Sequence, residues 1–284
     1  MANRHFAEIG DVWKHLPLAE VLALLDVRTY WESHSGSASY PLEPSAARNY
    51  GAIRFQARAS GSPELARSGY ASLLATCSAR GRYPGSPLVA LAGAPGAEFL
   101  FCDTDSASLE SIRAEADALG VPPARVRTEL ADGLSTLDAA LGATGRSSAE
   151  TRLVFIDPYR PLEPGPSGRH ALDVFRRSAD LGTPTMLWYG FGRLEWREVF
   201  MREVRAGDAR GDLWWAEVTP EFLHRGIEDT TGCHIGAGIL CANLGERTVA
   251  ACRGLGCALA GIYTDATLAD GTPAALLFAE GSGR

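Results

Sequence analysis

Short apolar runs that close on a carboxylate recur along this chain, with helical spacing between them. Glu98–Cys102 (EFLFC) ends at Asp103 and Leu153–Ile156 (LVFI) ends at Asp157-Pro158. Arg125–Thr128 (RVRT) leads to Asp132-Gly133. The spacing predicts helices over Ser106–Leu119, from Gly133 through Leu141, over Ala171–Leu181 and over Arg193–Arg205. Strands alternating with helices require a parallel sheet covered on both faces, because a parallel pair needs a crossover that packs back on the sheet. Ligands in open sheets of this kind bind at the carboxyl ends of the strands. Asp103, Asp132 and Asp157 are therefore expected to converge on one site.

The remaining pattern completes an α/β fold with seven strands. Asp11–Leu25 reads as a helix with Asp11 as its cap, and Arg28–Ser33 as the first strand. Thr185–Tyr189 (TMLWY) is a fifth strand, and Leu213–Val218 and Gly236–Ala242 are expected as an antiparallel pair. Residues 41–82 break the rhythm: Pro, Gly, Ser and Arg are scattered through short helical pieces such as Glu64–Leu74. We read 41–82 as a helical insertion, and 1–40 with 83–284 as the main domain.

Composition excludes several classes. With 46% hydrophobic and 21% charged residues, the chain has enough apolar surface to bury a core. No run of ~18 apolar residues predicts a membrane span, and Met1–Asp11 has no apolar stretch of a secretory leader. Six cysteines (77, 102, 233, 241, 252 and 257) form no C-x-x-C pair. They are expected to be reduced and buried, with no metal bound, in a cytoplasmic protein. The net charge is −7, from 27 basic and 34 acidic residues, which disfavours a large nucleic-acid surface. Every basic residue but one is arginine; the sole lysine is Lys14.

Individual residues carry chemistry to different degrees. Asp103, ending the second strand, suits the hydroxyls of a ribose, or equally a helix cap. His34-Ser-Gly-Ser is a small-residue loop that lets a ligand approach the backbone at Gly36, though it is not G-x-G-x-x-G. Asp132-Gly133 also fits a plain turn. Asp157-Pro158-Tyr159 offers an acceptor and a stacking face, suited to a planar ligand or a cation, or else a simple strand exit. Lys14 and His15 lie on the first helix, one turn after Asp11, where a solvated face is the alternative. Trp188-Tyr189 ends a strand; core packing is its default, with the tyrosine within reach of the site.

Six motifs in order make the chain resemble the RlmJ-like family, bacterial methyltransferases of an adenine exocyclic nitrogen in large-subunit ribosomal RNA. Asp11-Val-Trp-Lys-His15 is similar to D-V-L-K-H, and Glu32 to Tyr40 (ESHSGSASY) to D-T-H-A-G-A-G-R-Y. Tyr83 to Leu88 matches Y-P-G-S-P-L, Ala131-Asp-Gly133 matches A-D-G, Ile156-Asp-Pro158 opens I-D-P-P-Y, and Leu187-Trp-Tyr189 matches L-W-Y. The resemblance implies a class I, Rossmann-like methyltransferase fold with a helical insertion, and S-adenosylmethionine (SAM) as ligand. It implies that Lys14, His15, His34 and Ser86 surround the methionine part, Lys14 pairing with its carboxylate. Gly36 lies in the same loop, Asp103 would meet the ribose, and Asp132 and Gly133 the adenine. Asp157 would lie near the sulfonium and the acceptor.

The departures sit on the acceptor side. The family's D-P-P-Y is Asp157-Pro158-Tyr159-Arg160 here, and its N-terminal Tyr-Arg-His is Asn3-Arg4-His5. In amino methyltransferases D-P-P-Y accepts hydrogen bonds from the target amine and stacks a flipped base. The expectation is a SAM enzyme with a changed acceptor, with Asp157 and Tyr159 as its catalytic residues. The acceptor is a small molecule, or SAM itself is cyclised to azetidine-2-carboxylate with release of methylthioadenosine. A ribosomal RNA adenine methyltransferase and a non-catalytic SAM-binding protein are the alternatives. A continuous arginine patch beside the strand-end cleft, drawn from Arg48 to Arg82, would favour RNA.

Overall fold

The computed structural model describes residues 5–144, 151–207, 211–227 and 236–283. Asn3, Arg4 and Cys233 lie outside the described residues. Among the described residues ten strands form: β1 (Thr29–Glu32), β2 (Ser39–Pro41), β3 (Arg82–Pro84), β4 (Glu98–Asp103), β5 (Val126–Leu130), β6 (Arg152–Ile156), β7 (Thr185–Phe191), β8 (Leu213–Pro220), β9 (Gly236–Ala242) and β10 (Leu276–Gly283). Eight of them make one sheet in the order β5-β4-β1-β6-β7-β9-β8-β10. β5, β4, β1, β6 and β7 are parallel, with Thr29 opposite both Glu98 and Arg152. β9 runs antiparallel between β7 and β8. The chain steps outward from β1 through β4 and β5, then returns to the other side of β1 with β6 and β7. This reversal opens a crevice at the carboxyl ends of the central strands, as in doubly wound sheets. The protein has a doubly wound α/β arrangement, extended at one edge by β9, β8 and β10.

The strand count corrects the expectation: the main sheet has eight strands, not seven. β10 was missed because its sequence (LLFAEGSG) is short on β-branched residues and rich in glycine. It becomes a strand through long-range pairing, Leu276 opposite Pro220 through Gly283 opposite Leu213. Phe278 also meets Trp13 edge-on at 5.8 Å. The expected antiparallel pair of β8 and β9 forms.

The first helix, α1 (Ile9–Leu24), begins earlier than expected. Asp11 is not its cap but lies in its first turn, where its carboxylate accepts the Glu8 amide at 3.2 Å. α1 is buried along most of its length because β9, the helices Ser86–Gly93 and Glu246–Gly261, and the short helices of residues 46–78 all pack on it. Those residues form short helical pieces between β2 and β3, which pair antiparallel. Tyr50, Phe55, Leu65 and Tyr70 belong to the same buried cluster as Trp13 and Leu16 of α1. Cys77, Cys102, Cys241 and Cys252 are free and buried, whereas Cys257 is exposed, contrary to the expectation of burial. Among the described residues no helix is long and apolar enough to cross a membrane.

Candidate active site

The ends of β1, β4 and β6 and the start of α1 meet around Lys14. Its ammonium lies 2.7 Å from Asp157 Oδ2, just past β6, and 3.1 Å from Asp11 Oδ1, one helical turn back. All three side chains are largely buried. Burial works against the lysine's charge, but Asp157 and Asp11 outweigh it and raise its pKa above the ordinary value. Burial likewise raises the Asp11 pKa, against the pull of Lys14. The Trp188 ring, midway along β7, faces the ammonium at 5.4 Å, a cation–π distance.

Behind this triad lies a layer of satisfied polar groups. Glu32, the last residue of β1, is fully buried and accepts from Ser86 Oγ at 2.5 Å and Tyr30 Oη at 3.1 Å. Burial pushes its carboxyl well above the usual carboxylate range, with the Ser86 hydrogen bond opposing. Glu32 obeys the same rule as Asp103 and Asp157, a carboxylate closing a strand, and that signal identifies it. His15 Nδ1 is 2.9 Å from Tyr83 Oη, which lies 3.2 Å from Tyr70 Oη. Burial, with the Lys14 charge, pushes the His15 pKa well below its ordinary value. The ring is therefore neutral at pH 7. Its Nε2 is buried with no partner among the described residues.

The Tyr83-Pro-Gly-Ser-Pro-Leu88 stretch has a physical role at each of four positions. Tyr83 meets His15, Ser86 meets Glu32, and Pro87 enters the helix Ser86–Gly93 in its first turn. At Gly85 a Cβ would sit 2.2 Å from the Ser37 carbonyl oxygen. Gly133 is tighter still: a Cβ there would lie 1.7 Å from the Ser33 carbonyl oxygen. Glycine is needed at both because two backbones touch.

The loop after β1 is held from β4. Asp103 accepts the Gly36 amide at 2.7 Å on one oxygen and the Asp105 amide at 2.8 Å on the other. Gly36 adopts φ +60°, which glycine tolerates without penalty. His34 Nδ1 lies 2.7 Å from Ser33 Oγ, and burial lowers its pKa against the opposing charge of Asp157.

A cleft of about 1020 Å³ opens along these strand ends. It brings together Lys14, His34, Gly36, Asp103, Asp157 and Tyr159 of the predicted residues. A small void of about 30 Å³ beside it adds His15 and Ser86. Asp132 and Gly133 line neither; Asp132 instead accepts the Leu134 amide at 3.2 Å at the start of the following helix. Tyr159 stands on the rim, 76% exposed, with the Arg160 guanidinium 5.7 Å from its ring. Tyr189 is buried, its hydroxyl donating to Glu217 at 2.7 Å, and it also lines the cleft. Arg197 and Trp196 on the cleft wall carried no motif and were missed; their helix gives only an amphipathic signal.

The cleft is acidic. Glu8, Asp11, Asp103, Asp105, Asp157 and Glu163 line it against Lys14, Arg160, Arg193 and Arg197. Four of the six arginines of residues 41–82 are engaged within the protein. Arg54 and Arg58 pair with Asp265, Arg48 donates to the Glu43 carbonyl, and Arg82 to Ser39.

No protein-family model and no curated protein matches the chain. Among solved structures it is similar to protein LPL1258 of Legionella pneumophila, assigned there to family DUF519. The two are 21% identical, cover 98% of each other and superpose with a TM-score of 0.73. Weaker likenesses are to a SAM-dependent methyltransferase of Agrobacterium tumefaciens and to the O-methyltransferase TomG of Streptomyces achromogenes. The first is 16% identical, with a TM-score of 0.40 over 82% of this chain and 61% of that one. The second is 15% identical, with a TM-score of 0.42 over 81% of this chain and 78% of that one. The Legionella likeness extends the shared fold over nearly the whole of both chains.

Proposed function

We propose that the protein is a SAM-dependent transferase acting on a small molecule rather than on ribosomal RNA. The observation that carries this reading is the Asp11–Lys14–Asp157 triad at the mouth of an acidic cleft. Two carboxyl groups set against one ammonium favour a ligand whose reactive end is cationic. SAM brings an ammonium and a sulfonium. Two buried polar atoms without partners among the described residues, His15 Nε2 and Trp188 Nε1, fit a ligand with donors and acceptors of its own. The RlmJ-like motifs support the same ligand.

SAM supplies an electrophilic methyl group, so the protein's task is alignment and the handling of one proton. The Lys14 ammonium has three donor directions. Asp11 and Asp157 take two, and the third is left for the methionine carboxylate. Trp188 offers its ring face to positive charge. Asp157, fixed on one oxygen by Lys14, keeps the other for the acceptor's amine and its departing proton. The acidic cleft and the engaged arginines of residues 41–82 weigh against a polyanionic acceptor, whose affinity depends on unpaired cations.

The first experiment is calorimetric titration with SAM; absence of binding sinks the proposal. Mass spectrometry of protein with SAM alone is the second. Methylthioadenosine with a four-carbon amino acid would make SAM the sole substrate and remove the external acceptor. With the acceptor in hand, Asp157→Ala is expected to lower turnover by at least ~100-fold while SAM still binds. Lys14→Ala is expected to weaken SAM binding, and an unchanged dissociation constant would reject the carboxylate-pairing role.

A further inference from the structure

The far wall of the cleft, formed by β7 and the helix Leu194–Ala206, carries groups that SAM does not use. Arg197 Nε donates to both oxygens of Glu217, at 3.0 and 2.8 Å. One terminal nitrogen donates to Glu198 at 2.5 Å, and the guanidinium carbon lies 5.3 Å from the Trp215 ring. Glu217 is buried in β8 and also accepts from the Tyr189 hydroxyl. The guanidinium is thus braced on three sides, and its other terminal nitrogen has no partner among the described residues. A braced guanidinium presents its remaining N–H groups in a set direction, which suits a planar carboxylate.

The neighbouring residue supplies a flat surface. Trp196 lines the same cleft and is 60% exposed, an unusual state for so large an apolar ring.

We propose that this wall is the acceptor subsite and that it takes a flat aromatic acid bearing an amine. The ring lies on Trp196, the carboxylate meets Arg197, and the amine turns toward Asp157. The inference rests on the SAM reading and names its second substrate. In the transfer, the amine lone pair forms a nitrogen–carbon bond to the methyl group. The carbon–sulfur bond breaks with its electron pair left on sulfur, and the amine proton passes to Asp157 and then to water.

The test is a titration of the whole protein with 2-aminobenzoate and 4-aminobenzoate, each against its own amide, and with AMP. It is run with and without saturating S-adenosylhomocysteine, whose own affinity is measured alongside. At least one acid is expected to bind about tenfold tighter than its amide, the size of one charge-assisted contact. The double variant Arg197→Gln/Glu217→Gln, which leaves no lone buried charge, should bring acid and amide to within about twofold. Trp196→Ala, at an exposed position, should weaken both by about fivefold. Amides binding as well as acids, an acid preference that survives the double variant, or AMP as the tightest ligand would overturn the subsite. A protein that binds the acids but not S-adenosylhomocysteine would keep the subsite and remove the SAM reading.

Discussion

The two walls of the cleft are built on opposite principles. On the side of α1 and β1, nearly every polar group already has a partner inside the protein: Glu32 with Ser86, Asp103 with Gly36, His15 with Tyr83. Behind that wall, backbones touch closely enough that only glycine fits at positions 85 and 133. On the side of Tyr159 and Trp196, large rings stand in solvent and an arginine is braced but not saturated. The first wall is rigid before any ligand arrives, so its residues are costly to change for reasons of folding. The second spends little of the protein's stability, so its residues can change at little cost to the fold.

Four substitutions test the contrast. Gly133→Ala, placing a methyl group 1.7 Å from the Ser33 carbonyl oxygen, should cost roughly 4 kcal/mol or more in denaturant unfolding, at the extreme of single substitutions. A cost below 1 kcal/mol, by the same principle, would show that the first wall yields. Lys14→Met removes the cation from two largely buried carboxylates and should cost about 3 kcal/mol. That loss should shrink at acid pH as Asp11, whose pKa burial raises, takes up a proton. His15→Gln tests the pH dependence. The folded pKa of His15 lies below its unfolded value, so the folded state binds fewer protons and its contribution is intact above pH ~6.5. Wild-type stability should therefore fall as pH drops below ~6.5, with His15 contributing up to ~1.4 kcal/mol per unit, and the variant should lack that part of the slope. Tyr159→Ala, on the second wall, should change stability by less than ~0.5 kcal/mol. A larger loss would mean that this rim, too, is structural.

Parts of this arrangement are legible in the residues alone. Apolar strands ending in acids predict a parallel sheet with its site at the carboxyl edge, and Asp103 and Asp157 lie there. Lys14 draws notice as the sole lysine. Glu32 follows the same strand-end rule, but its strand, Thr29–Glu32, carries a threonine and two aromatic residues in place of a clean apolar run. Asp132 and Gly133 form a motif whose observed role is a helix start and a backbone contact rather than cleft lining. Arg197 and Trp196 leave no local sign, because their setting depends on Glu217 and on the edge of a cleft.

The sequence by itself determined the fold class and the edge of the sheet that carries the site, since hydrophobic period and strand-end chemistry are local properties. Only the tertiary structure decided that Lys14 is shared between two carboxylates, that Leu276–Gly283 is an eighth strand, and that one cleft wall is saturated while the other is open. Each of these depends on contacts between residues far apart in the chain. Asp157 lies 143 positions beyond Lys14, and no periodicity or motif records which distant partner will meet a given side chain.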